Sequence, residues 1–452
     1  MGLTVVEKSH LHRRRQANPK IALVLAGGAI SGGAFKLGGL IALNTYLEGR
    51  KMHEFDMYVG VSAGAFLAAP LSSGIPPEEL IRSIHGGSSI ISQFKPWHFY
   101  WPNFSEFVQK PAEAAWDAAT AGPALARSFY DVIRSTDGRR LARSWFLKPT
   151  YNNLERLMTP VILGAFGDSP LVRSMLSYLP SGVFDNSPIE TFIRENLQRN
   201  RLPNNFKLLQ MVRQNSLYIF ATNLNTARSV LFGHDEDTSA TISEAVQASC
   251  SIPGFFKPTR IGTADYLDGG VQRTANISQA AAKGADLIIA YNPFRPYVNL
   301  GDPSSARYRS RASMGPGVVL DQTFRSRLHS RLELGVKRLA LDPRFRGDLL
   351  LIEPTETDAR MFNISPIAFW KRAIAAEAGY LSVKATLERH HARLTRIFES
   401  WGFKTNLERL KEDESALREA RTADREVFDV LERDSSGGER DLKSYQKFYV
   451  VK

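Results

Sequence analysis

The sequence predicts an α/β layered protein, on three observations. Short apolar runs without alternation recur at Ile21 to Leu25, Met57 to Val59, Asp286 to Tyr291 and Asp348 to Glu353, the pattern of parallel strands covered on both faces. Segments of helical composition separate these runs, as layered α/β chains require. The first two runs each lead into a glycine-flanked turn, Gly27-Gly28-Ala29-Ile30-Ser31-Gly32-Gly33 and Gly60-Val61-Ser62-Ala63-Gly64.

In chain order, residues 1–19 are polar and basic, with Arg13-Arg14-Arg15, and read as a mobile arm. The strand Ile21 to Leu25 follows, then the glycine turn, then helical composition from Ala34 to Leu47. Met57 to Val59 is the second strand, and Ala65 to Ala69 opens the next helix. From residue 85 to 203 the character changes to a helical insertion with the aromatic cluster Trp97-His98-Phe99-Tyr100-Trp101-Pro102. Trp and Tyr suit surfaces that are apolar on one side and wet on the other, so this cluster can line an acyl-chain channel or meet a membrane, although packing under a loop is the commoner use.

Strands resume at Ser216 to Thr222 and Ser229 to Gly233, and Thr241 to Ser249 is helical up to the rigid turn Ile252-Pro253-Gly254-Phe255-Phe256. An aromatic approach then reaches Asp268-Gly269-Gly270. Residues 307–346 carry ten Lys/Arg against three Asp/Glu, the best electrostatic candidate for a phospholipid-facing surface. Phe369 to His391 reads as a long closing helix. The last part, 399–452, reads as a charged helical extension with apolar punctuation at Leu407, Leu410, Leu417, Val427 and Leu431, broken at Ser435-Ser436-Gly437-Gly438.

Composition narrows the function. With 43% hydrophobic and 23% charged residues the chain is globular, and its single cysteine, Cys250, excludes an intramolecular disulfide and a cysteine zinc cluster. Such a chain needs no oxidising compartment, which fits the cytoplasm or a membrane surface. A net charge of +12 favours anionic partners, yet no finger spacing or RNP-like signature points to nucleic acid. The apolar span Ile21 to Leu47 is no membrane helix, because Lys36 sits near its centre and six glycines interrupt it. Its first run is too short for a secretory signal, and Val6 stands where N-myristoylation needs Ser or Thr.

Glycines flanking a serine between strand and helix make a strained elbow that exposes the hydroxyl, so Ser62 is the candidate nucleophile, with Gly60 and Gly64 forming the elbow. Acyl transfer also needs a base and fixed donors for the oxyanion. Gly27, Gly28 and Ala29 can aim backbone N–H groups at it, joined by Ala63. A phosphate-binding loop is the rival for this turn, but the Gly-Lys-Ser/Thr ending is absent and the dinucleotide spacing is not met. For the base, His329, His390 and His391 lie in charged helical runs and read as solvated, so Asp268 is the better partner.

These residues resemble one family, the patatin-like phospholipases. Four blocks carry the resemblance in the family's order: Gly27 to Gly32, Gly60 to Gly64, Ala248-Ser249-Cys250-Ser251-Ile252-Pro253-Gly254-Phe255-Phe256, and Asp268-Gly269-Gly270. The resemblance implies a three-layer α/β/α fold with a mainly parallel central sheet, spanning residues 20–398. It implies a Ser62-Asp268 dyad without histidine, hydrolysing acyl esters of phospholipids or other acyl lipids, with no metal and no cofactor. Ser249 and Pro253 would support the site. The chain departs from the family at Ala29, where a third glycine is usual, at Ser31, where the family has a basic residue, and at Thr274 and Asn276, where Asn and Pro are frequent. Two alternatives stay open: a histidine-dependent α/β-hydrolase, and a non-catalytic membrane- or partner-binding protein on the same scaffold.

Overall fold

The computed structural model describes residues 2–9, 18–166, 178–299, 310–355, 362, 364–419 and 424–432. Arg13 to Arg15, residues 307–309 of the basic segment and the Ser435 to Gly438 break lie outside them. The chain forms two compact units, one of Met1–Trp101 with Asp185–Lys452 and one of Pro102–Phe184.

The first unit is built on a nine-stranded sheet. Its strands are β1 (Leu3–Glu7), β2 (Ile21–Leu25), β3 (Met57–Val61), β4 (Ser216–Asn223), β5 (Arg228–Phe232), β6 (Thr259–Ile261), β7 (Ala264–Asp268), β8 (Leu287–Tyr291) and β9 (Asp348–Ile352). The order is β1-β9-β8-β2-β3-β4-β7-β6, with β5 on the other edge of β4. Four parallel pairings join β9, β8, β2, β3 and β4, and the remaining pairs are antiparallel.

Every residue of β2, β3, β8 and β9 is buried, because helices cover both faces. Side chains alternate between faces along a strand, and β2 shows the result. Ile21, Leu23 and Leu25 join the large core with Phe35, Leu43 and Tyr380, while Ala22 and Val24 join a second core with Ile277, Leu332 and Val336. Three layers follow from that division.

Helix α1 (Ala29–Tyr46) packs against the helix Arg372–Arg389 at backbone contact. A Cβ at Gly38 would lie 1.9 Å from the Ala376 carbonyl oxygen, and one at Gly379 would lie 1.9 Å from that of Phe35. No other residue type permits this approach. Tertiary packing thus overrides the poor helix propensity of glycine inside α1, which begins at Ala29 rather than at Ala34.

Several expectations change. Leu3–Glu7, read as part of a mobile arm, is an edge strand paired in register with Asp348–Ile352; its Val5-Val6 pair suits a pleated edge. The expected insertion 85–203 is not one body. Helix Ser187–Arg199 places Ile189, Phe192, Ile193 and Leu197 in the main core, and the separate unit is Pro102–Phe184, with helices Phe104–Arg134, Thr136–Leu147 and Tyr151–Phe166. The apolar punctuation of the charged extension packs inward over its described part, with Leu410, Leu417, Val427 and Leu431 buried in the main core. In the basic segment, helix Pro316–Leu341 turns Arg325 inward onto Asp321 and the Pro293 carbonyl. Among the described residues no helix is long and apolar enough to cross a membrane.

Candidate active site

Strand β3 ends at Val61, and α2 (Ala63–Ser72) begins one residue after Ser62. The turn between them is sharp enough to hold Ser62 at φ 54° and ψ −129°, a conformation costly for any residue with a Cβ. The flanking glycines are needed for space. A Cβ at Gly60 would lie 2.5 Å from the Ala65 Cα, and one at Gly64 would lie 2.1 Å from the Leu25 carbonyl oxygen. Ser62 is thereby fixed at the strand's end, 4% exposed.

The Ser62 backbone is pinned as well. Its N–H donates to the Ser249 hydroxyl at 2.8 Å, and that hydroxyl donates to the Phe220 carbonyl at 2.6 Å. Ser249, expected to support the site, thus ties the elbow to β4.

Register brings Asp268 to the same place. Val61 of β3 pairs with Phe220, and Asp268 of β7 pairs with the next residue, Ala221. Both partners lie along one edge of β4, because β5 occupies the other edge over Ile219 to Asn223. Where β3 turns away at the elbow, β7 arrives. The Asp268 carboxylate accepts the Gly270 N–H at 2.7 Å, and the Ser62 side chain acts on it to favour the ionised form. Burial pushes its carboxyl up to about 6, against the opposing pull of Ser62, Gly270 and the Lys36 ammonium.

The glycine turn closes over this pair. A Cβ at Gly27 would lie 3.3 Å from the Ser62 Cβ, so the turn is packed on the serine. Gly28 caps α1, and Ala29, at φ 50°, is its first residue. Ala63 is the first residue of α2. The first N–H groups of a helix have no acceptor within it, and they carry the positive end of its dipole. Two such ends therefore converge beside one hydroxyl.

Lys36 was read only as a break in an apolar span, and its place in the site was missed. It is wholly buried on α1, with its ammonium on the Ala26 carbonyl and 3.2 Å from the Gly27 carbonyl. Burial pulls it down to about 7, with Cys250 and Asp268 acting in the opposite sense. A lone lysine inside an otherwise apolar helical stretch was the available signal. Ser31, where the family has a basic residue, is buried and donates its N–H to the Pro366 carbonyl at 3.0 Å.

A family model described as patatin-like phospholipase matches residues 23–132 and 139–281, more than half of the chain. The chain belongs to the patatin-like phospholipase family. Among solved structures it is similar to VipD from Legionella pneumophila, at 16% identity over 96% of this chain and 80% of that one, with a TM-score of 0.34. It is also similar to ExoU, solved as the heterodimeric ExoU-SpcU complex from Pseudomonas aeruginosa, at 14% identity over 96% of this chain and 70% of that one, with a TM-score of 0.24.

The site opens into an apolar pocket. Ser62, Ala29 and Ala63 border it, with walls that include Leu67, Phe66, Phe192 and Phe99. Phe99 comes from the aromatic cluster, whereas Trp97 and Trp101 face outward. None of the described histidines lines this pocket. His329 is not solvated but lies against Glu353, and His391 is bonded to the Tyr46 hydroxyl, away from the pocket. Among the described residues no group of three or more His, Cys, Asp or Glu side chains is placed to hold a metal ion.

Proposed function

We propose that this patatin-like chain is a lipid acyl hydrolase that cleaves fatty acyl esters with Ser62 as nucleophile and Asp268 as general base. The observation that carries the reading is that the strand register brings Ser62, which borders an apolar pocket, and Asp268 to the same point along β4. An aspartate at its ordinary value near 3.9 is a poor base for an alcohol; burial to about 6 improves the match while leaving the carboxylate ionised at neutral pH.

The Ser62 Oγ attacks the ester carbonyl carbon as its proton passes to Asp268. The carbonyl oxygen takes the negative charge and is met by the N–H groups of Gly27, Gly28, Ala29 and Ala63. Collapse breaks the bond to the alcohol, which leaves with the proton from Asp268, for a phospholipid as the lysolipid. A water then attacks the acyl-serine, Asp268 takes its proton, and the fatty acid departs as Ser62 recovers a proton. Lys36 holds the Ala26 and Gly27 carbonyls, steadying the turn in place of the basic residue absent at Ser31.

The test is product analysis by mass spectrometry on mixed phospholipid and neutral-lipid vesicles. Wild type should release fatty acid and form an adduct with a fluorophosphonate at Ser62, and Ser62→Ala should do neither. Equal product from the folded variant would refute the assignment.

A further inference from the structure

The pocket leads outward past a short segment whose side chains split between core and solvent. In the turn Phe369–Lys371, Phe369 is buried and lines the pocket while its neighbour Trp370 is 66% exposed. Ile367, which also lines the pocket, is 41% exposed, and Ile374, in the first turn of the following helix, is 48% exposed. The aromatic cluster is fastened to this segment. The Tyr100 hydroxyl donates to the Ile367 carbonyl and accepts the Phe369 N–H at 3.2 Å. On either side of Tyr100, Trp97 and Trp101 are 51% and 47% exposed.

A row of large apolar side chains in water, at the mouth of an apolar pocket, needs an occupant that is apolar at depth. The charges choose its chemistry. Residues 92–101 and 365–374 hold Lys95, Lys371 and Arg372 and no Asp or Glu. The Lys95 ammonium lies 4.8 Å from the Trp97 ring, and the Arg372 guanidinium lies 4.6 Å from the Phe369 ring. Trp and aliphatic side chains interleaved with cations match the headgroup boundary of a bilayer, where the apolar groups enter and the cations meet phosphate.

We infer that this rim, Ile367 to Ile374 with Trp97 and Trp101, docks the protein onto an anionic phospholipid bilayer, so that an acyl ester passes from the membrane into the pocket without crossing water. The inference rests on the reading of that pocket as a lipid hydrolase site, and it names the physical form of the substrate as bilayer lipid.

The experiment uses the full chain and two readouts. Co-flotation with phosphatidylcholine vesicles, with and without phosphatidylserine, reports docking; hydrolysis of a short-chain p-nitrophenyl ester in solution reports the site. Trp370→Ala with Ile374→Ala should weaken flotation about tenfold or more, Lys371→Glu should weaken it about fivefold and only on the phosphatidylserine vesicles, and both should hydrolyse the soluble ester as wild type does. Wild-type flotation in the Trp370→Ala, Ile374→Ala protein overturns the inference. So does loss confined to Arg327→Glu on the exposed basic helix, or a change of oligomeric state without loss of vesicle binding. A wild-type protein that floats but cleaves no ester refutes the proposed hydrolysis and leaves the docking result standing.

Discussion

The Ser249 hydroxyl accepts the Ser62 backbone N–H at 2.8 Å while donating to the Phe220 carbonyl at 2.6 Å, so one buried side chain fastens the elbow to β4, the strand against which Asp268 of β7 is paired. Ser249→Ala leaves a buried N–H and a buried carbonyl without that partner. The expected cost is about 1–3 kcal/mol, read from urea unfolding. Because the elbow loosens, kcat on a soluble ester should fall about tenfold with KM little changed. Unaltered stability and kcat would show that the elbow holds itself.

The raised Asp268 carboxyl fixes the acid limb of activity. A general base must be deprotonated, so kcat/KM should climb with pH through about 6 and then level. The same group affects stability in the opposite sense. Its folded value of about 6 lies above the ordinary 3.8, so the folded state binds the proton more tightly, and the stabilisation present below 3.8 is lost as pH rises to 6. Asp268→Asn should therefore be inactive yet more stable than wild type above pH 6, by up to about 3 kcal/mol for two pKa units. The difference should shrink toward pH 4, as paired melts at the two pH values can check.

Lys36 separates position from charge. Lys36→Met removes a buried cation that is costly to keep charged, so unfolding should show little loss of stability. Without the ammonium the turn loses its hold on the Ala26 and Gly27 carbonyls, and Asp268 loses a stabilising charge. The expected result is a kcat lower by about ten- to a hundredfold and an acid limb moved to higher pH. A lysine that only filled space would leave the pH profile where it was.

What the sequence made legible was local and buried. Strand β2 was read to the residue, because Lys20 and the glycine turn bound a run that two helix layers cover completely. Ser62 and Asp268, each marked in the sequence by neighbouring glycines, are brought to one point along β4 by the strand register. Strand Leu3–Glu7 was missed because its pairing partner, Asp348–Ile352, lies near the other end of the chain. Five residues of α1 were missed because Gly32 and Gly33 disfavour a helix locally. Lys36 was missed because a lone lysine in an apolar stretch signals burial without saying where its ammonium goes, which is back onto the turn ten residues earlier. In each case the deciding contact lies outside the sequence neighbourhood that propensity can see.

The elbow stores strain that two inactive variants can measure. Ser62→Ala and Ser62→Gly both remove the hydroxyl and its influence on Asp268, and they differ in the Cβ held at φ 54°. Releasing that conformation is worth about 1–3 kcal/mol, while glycine's freer unfolded chain takes back about 0.4–1 kcal/mol. Ser62→Gly should therefore be the more stable of the two by about 1 kcal/mol, in the direction that the N-cap preference for glycine over alanine also favours. Urea melts at one pH decide it. If the alanine variant is the more stable, the serine is held without strain, and the glycines at positions 60 and 64 serve only the close approach of α2 to β3 and β2.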